Sequence, residues 1–314
     1  MSRRVVFSEF GDFSRLRVET DEEIHAGPGR VRVRVAYAGL NPVDLKILAG
    51  GQFMRPGLPS GNGNDFSGIV DETGEGVEGF SVGDPVLGGR RFFAQADHVV
   101  VDPDSLTPVP AGLGLDVAGG LSIAATTAIA AIRAIAPTAA DTVFVGGAAG
   151  GVGVLAAQIA RATGARVIGS AGPANHDFLR AIGIEPVEYG EGLWERLRLL
   201  APDGIDSALA TRDLDEVKGL IELGVPAGRI DSIATGKAAA DLGARTDGSA
   251  AARPDDLAHV AAAIAGGAIV APIDSVFSLD DVSSAYRRLA DGHLRGKILL
   301  RTAAAADASD LLDL

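Results

Sequence analysis

The sequence predicts an α/β protein with a β-rich first part and a doubly wound parallel-sheet second part. Three observations carry that expectation. Short apolar segments punctuated by Gly/Pro turns occupy residues 1–115. From residue 142 onward short strands alternate with helices, the pattern of a parallel sheet covered on both faces. The run Gly146-Gly-Ala-Ala-Gly-Gly-Val-Gly153 sits where the first of those strands meets its helix.

The elements follow in order. Residues 30–36 alternate charged and apolar, the period of a half-buried strand, and Ile69-Val70 and Val99-Val100-Val101 are further strand candidates. Turns at Gly27-Pro28-Gly29, Asn41-Pro42, 57–63 and Gly83-Asp84-Pro85 separate them. Residues 116–136 form an alanine-rich helical stretch. Strands are expected at 142–145, 166–168, 185–189, 206–210 and 229–234. Helices at 152–163, 176–182, 193–200 and 213–223 lie between them. After residue 252 come a helix (255–265), a strand (269–277), a helix (279–290) and a last strand (297–300). An Ala/Asp-rich tail closes the chain over 303–314.

Composition narrows the function classes. The 314 residues suit roughly two domains. With 28 basic and 41 acidic residues the net charge is −13, which repels phosphate backbones and argues against nucleic acid as a partner. The absence of cysteine removes disulfides, thiolate nucleophiles and cysteine zinc sites, and suits a reducing compartment. No apolar run reaches the ~18 residues of a membrane span, and the first residues lack the apolar core of a signal peptide. A soluble, cytoplasmic protein is the expectation.

The glycine-rich run follows a strand and opens a helix, the context a dinucleotide fingerprint requires. Ala148, Gly150 and Gly153 take the three positions of G-x-G-x-x-G, with Ala149, Gly151 and Val152 between them. Gly150 lets the backbone approach a pyrophosphate, Gly153 lets the helix pack closely on the strand, and the helix N-terminus offers free N–H groups. The second strand then ends at Ser170-Ala171-Gly172 without the acidic residue that binds an NAD ribose. Ala171 stands where that carboxylate belongs, which favours NADPH over NADH. Asn175, His176 and Arg180 are the nearby candidates for a 2′-phosphate partner.

With these features placed, the chain from residue 1 to 301 resembles the medium-chain dehydrogenase/reductase superfamily, most closely its zinc-free quinone oxidoreductase branch. Ala38-Gly-Leu-Asn-Pro-Val-Asp-Leu-Lys46 is similar to the family's N-P-x-D-x-K turn, and Gly63-Asn-Asp-Phe-Ser-Gly-Ile-Val70 to G-x-D-F-x-G-x-V. Gly76–Asp84, Ala96-Asp-His-Val-Val, Gly147–Gly153 and Gly296-Lys-Ile-Leu-Leu300 resemble further family motifs in the same order. The resemblance implies a GroES-like β-rich catalytic domain (1–115, completed by 252–302) with an inserted Rossmann domain (116–251). It also implies an active site in the interdomain cleft and a homodimer. Asn41 and Asn64 fall where zinc-dependent relatives carry ligands, and amide oxygens are poor zinc ligands, so no metal is expected.

By the same resemblance Asn41, Asp44 and Lys46 lie near the nicotinamide and substrate, Thr127 (or Thr126) near the nicotinamide, and Tyr189 near the adenosine phosphate. The implied chemistry is metal-free hydride transfer to a quinone or an α,β-unsaturated carbonyl. Lys46 either stabilises an oxyanion or supplies a proton, or it pairs with Asp44 or Asp65, or is simply solvated. Asp65 is either structural or catalytic. Arg90, Arg91, Phe92 and Phe93 suggest a loop at a cleft rim. Three stretches depart from the family pattern: Pro59-Ser-Gly-Asn-Gly63, Asp206–Asp213, which lacks the usual D-x-x-G-G turn, and 235–252. A tailoring enoyl reductase, or a redox-silent cyclase or binding protein, are the alternative readings.

Overall fold

The computed structural model describes residues 1–51 and 55–305, apart from the side chain of Ser249. The tail beyond residue 305 lies outside the described residues. The chain forms two compact units. One comprises Met1–Ile123, Ile273–Gly292 and the chain from Lys297; the other comprises Ala124–Pro272 and His293–Gly296. Residues 252–272, read from sequence as part of the return to the β-rich domain, therefore pack with the second unit. Their helix Asp256–Ala265 is fastened there by an ion pair between the buried Asp256 and Arg133.

The first unit is built on a seven-stranded sheet. Its order is Ile273–Ser278, Lys297–Arg301, Val31–Gly39, Asp65–Thr73, Pro85–Gly89 and Leu106–Pro108, with His98–Val101 also paired to Val31–Gly39. Strand Val31–Gly39 carries the valines the alternation predicts, and Val31, Val33 and Val35 are fully buried. The charged face is not simply solvated. Arg32 is buried as well, because Asp71, Glu23 and Glu72 ring its guanidinium at 2.9–3.0 Å. The predicted helix over 116–136 is two helices, Leu115–Ala118 and Ser122–Ile135. Gly119 and Gly120 part them. A Cβ on Gly119 would lie 2.7 Å from Tyr37 Cβ, so the glycine is set by the close approach of the strand.

The second unit is a five-stranded, wholly parallel sheet. Its strands run Glu185–Glu188, Arg166–Ala171, Thr142–Val145, Ser207–Ala210 and Ile230–Ser232, the doubly wound order 3-2-1-4-5. The central strands Thr142–Val145 and Ser207–Ala210 are largely apolar because helices cover both faces, whereas the edge strand Glu185–Glu188 exposes its glutamates. Phe144, Ile168, Val187, Ala208 and Ile230 from the strands meet Leu193, Leu197, Val217 and Leu220 from the helices. Residues 235–252, which carry little pattern, hold one short helix, Lys237–Ala240, a 3-10 turn at Gly248–Ala251, and a single parallel bridge from Arg245 to Asp231.

Candidate active site

In the first unit, helix Pro42–Leu48 begins at Asn41, and Pro42 suits its first position because no helical N–H is needed there. Asp44 reaches back so that its carboxylate accepts the Asn41 backbone N–H at 2.8 Å. The same carboxylate accepts the Asn64 amide at 2.6 Å and the Tyr286 hydroxyl at 3.1 Å. Tyr286 in turn accepts from Asn62 at 2.8 Å and Gln95 at 2.7 Å. The Asn41 amide donates to Asp65 at 2.9 Å, and its oxygen accepts from the Lys297 ammonium at 2.5 Å. Lys297 also donates to the Leu40 carbonyl at 2.7 Å and lies 3.4 Å from Asp65. One connected polar network thus runs from Gln95 through Tyr286, Asp44, Asn41 and Asp65 to Lys297.

Asp44 and Asp65 are both fully buried. Burial pushes the Asp44 carboxyl up to about 6, with the Asn41 N–H bond opposing and the Asp65 charge adding to the rise. Burial, with Asp44 beside it, also holds the Tyr286 hydroxyl well above its ordinary value, so it stays a neutral donor.

Asn41 and Asp44 meet at the start of their helix, and Lys46 follows on the same helix. It lies on the exposed side of its helix, and the cation that meets Asp65 is Lys297. Asn41 and Asn64, at the positions equated with zinc ligands, do not fit a zinc ion. Both turn an N–H toward a carboxylate, and an ammonium occupies the Asn41 oxygen. Among the described residues no cluster of three His, Asp or Glu side chains is suited to a metal.

In the second unit, strand Thr142–Val145 leads through Gly146–Gly150 into helix Gly151–Ala162, whose N-cap is Gly150. Gly147 adopts φ +57°, and a Cβ on Gly153 would stand 2.1 Å from the Gly147 carbonyl oxygen. The glycines thus make a tight turn against the helix start, leaving a backbone-lined cradle of the kind a pyrophosphate occupies. Ala148 and Ala149 are buried in the turn, whereas Gly150, Gly151 and Val152 stay half-buried at its lip. Ser170 is fully buried, and its hydroxyl accepts the Gly147 N–H at 3.0 Å while its carbonyl accepts that of Ala148. It holds the turn from beneath rather than facing outward. Thr127 is buried on helix Ser122–Ile135 with Thr126 half-buried beside it.

At the neighbouring strand ends the predicted residues separate. His176 turns its Nε2 to the Ala171 carbonyl at 3.2 Å, so that nitrogen carries the proton. Arg180 is exposed and paired with Asp177 at 2.7 Å. Tyr189 hydrogen-bonds His293 and stacks on its ring at 5.8 Å, and the Arg212 guanidinium lies 5.7 Å from the tyrosine ring. The departure at 206–213 proves to be an ordered loop. Buried Glu216 accepts the N–H groups of Thr211 and Arg212 at 2.9 and 3.0 Å, and the Thr211 hydroxyl donates to the Gly146 carbonyl. Its other oxygen, Oε1, has no hydrogen-bond partner, and burial raises the carboxyl above its ordinary value.

Sequence reasoning missed Tyr286, Lys297 and Glu216. Only Lys297 had a local signal, as the lysine of the closing Gly-Lys pair. Tyr286 is joined to its partners by the fold, whereas Glu216 meets loop N–H groups four and five residues before it.

Two family models match the chain: the alcohol dehydrogenase GroES-like domain over residues 27–132 and the zinc-binding dehydrogenase domain over residues 184–300. The rat (Rattus norvegicus) quinone oxidoreductase is 34% identical over 175 residues, covering 55% of this chain and 53% of that protein, so the chain spans about half the length of this relative. The structure of the quinone oxidoreductase from Coxiella burnetii superposes with a TM-score of 0.83 at 26% identity, covering 96% of this chain and 99% of that one. The Escherichia coli quinone oxidoreductase complexed with NADPH superposes with a TM-score of 0.83 at 22% identity over 95% and 99% of the chains, a likeness of fold. The chain belongs to the medium-chain dehydrogenase/reductase superfamily, in its quinone oxidoreductase branch.

Proposed function

We propose that the protein is an NADPH-dependent, zinc-free oxidoreductase that reduces a quinone or an α,β-unsaturated carbonyl. The observation that carries this reading is the glycine turn, in which Gly147 at φ +57° and the close approach of Gly153 to the Gly147 carbonyl lead the chain tightly into the N-terminus of helix Gly151–Ala162. The cofactor, when bound, supplies the hydride. The chain's own part is to grip the dinucleotide at Gly150–Gly153, with Thr127, His176 and Tyr189 as further contacts. NADPH over NADH is favoured because the second strand ends at Ala171, with no carboxylate to repel a 2′-phosphate. Metal-free chemistry is favoured by the commitment of the Asn41 and Asn64 amides to Asp65 and Asp44.

Quinones and enones suit a site without a Lewis acid, since the developing oxyanion needs only hydrogen-bond donors or water. Asn41 and Asp44 act by holding their turn rigid. Lys46, the exposed cation of that turn, is the candidate donor to the oxyanion. A cytoplasmic homodimer is part of the same reading. Steady-state assays with NADPH and a panel of quinones and enones, following loss of reduced-nicotinamide absorbance, test it. Turnover on at least one acceptor is expected. No turnover together with no NADPH binding overturns it.

A further inference from the structure

The loop after the second strand of a Rossmann unit is where the adenosine ribose is read. Here that loop, 171–176, contains no carboxylate and no lysine or arginine of its own. The nearest acid, Asp177, is spent on Arg180. A cation reaches the loop from 120 residues away. Arg295 donates from Nε to the Asn175 side-chain oxygen at 2.8 Å and from a terminal nitrogen to the Ala174 carbonyl at 3.0 Å. Its guanidinium stacks over the Phe178 ring at 5.1 Å. The segment bearing it is anchored as well, since the Gly296 N–H donates to the Ala149 carbonyl and His293 meets Tyr189. Three contacts thus fix an exposed guanidinium, permanently charged and rich in donors, against the loop.

We propose that Arg295 is the specificity-determining residue of the cofactor site, recognising the 2′-phosphate of NADPH that NADH lacks. The assignment rests on the NADPH reading above. A planar guanidinium held in place matches a phosphate with two parallel N–H bonds, and its charge gives nothing to a ribose hydroxyl.

Calorimetric titration of the wild type, Arg295→Ala and Arg295→Lys with NADPH and with NADH tests this without any substrate. Arg295→Ala is expected to weaken NADPH binding by about tenfold or more and to leave NADH within about twofold, with Arg295→Lys between it and the wild type. Unchanged NADH binding also shows that the variant is folded. Equal loss for both cofactors would make Arg295 a fastener of the 293–296 segment, and no loss for either would make it a bystander; each overturns the assignment. A wild type that binds NADH tenfold tighter than NADPH overturns the cofactor reading itself, and is seen before any variant is made.

Discussion

Asp44 shows how a single buried carboxyl joins structure to pH. Folding lifts it from the ordinary 3.8 to about 6, chiefly by burial. The folded state therefore holds this proton more tightly than the unfolded chain. Its contribution to stability is full below 3.8 and is lost as the pH rises through about 6. A shift of this size is worth on the order of 2–3 kcal/mol. Asp44→Asn removes the titration but presents an NH2 group to some of the three donors that Asp44 accepts. The variant should be less stable than the wild type, with the gap narrowing between about pH 4 and pH 7. Denaturant unfolding across that range checks it, and a gap that widens contradicts it. Lys297→Met should cost about 3–5 kcal/mol, because Asp65 is left as a buried charge with amide partners only. An unfolding loss below about 1 kcal/mol would place the Asp65 compensation elsewhere. The sequence set Asn41 and Asp44 three residues apart in one turn without pairing them, a contact that the helix start makes local. The Tyr286 and Lys297 half of the network was not legible, because those contacts join residues 242 and 256 positions apart.

At the scale of elements, the glycine turn and the 211–216 loop carry the account. The turn was readable because its strand, its glycines and the helix capped by Gly150 follow one another in a single run, even though Ser170 and Leu209 also hold it by hydrogen bonds. Gly153→Ala should push the Gly147 carbonyl aside and weaken NADPH binding by roughly tenfold or more while the far-ultraviolet spectrum is kept. Undiminished binding would show that the cradle is not the site. The loop was unreadable because it replaces a familiar pattern with an unfamiliar one, although its main contacts are also close in sequence. The familiar glycine pair is absent, and its place is taken by Glu216, a helix residue whose carboxylate collects two loop N–H groups. Glu216→Ala should lose about 2 kcal/mol, since two loop N–H groups lose a charged acceptor. Glu216→Gln keeps one acceptor oxygen and gives up only the 3.8 Å ion pair of Oε1 with the half-exposed Arg212 guanidinium, so its loss should stay within about 1 kcal/mol. Equal losses in the two variants would contradict the loop's assignment to that carboxylate. The helix break at Gly119-Gly120 was missed likewise, as it is imposed by Tyr37 across the unit and not by any neighbour in sequence.

At the scale of the whole molecule, alternation of strand and helix identified the parallel-sheet unit almost element by element. The order of its strands and the identity of the long-range cation partners came only with the fold. The same holds for function. An absence, that of cysteine, pointed toward hydride chemistry without a metal, and the engaged amides of Asn41 and Asn64 now supply a positive reason. Lys46→Ala gives the turn's chemistry its own check, with a slower hydride-transfer rate expected and an unchanged rate making the lysine a surface residue. The central claim is that a hydride passes from NADPH to an electrophilic carbon, and NADPH carrying deuterium at both C4 positions tests it most directly. With an enone as acceptor, mass spectrometry should find the label at the reduced carbon of the product. A reduced product without deuterium, or labelled NADPH left unconsumed across the whole acceptor panel, would contradict it.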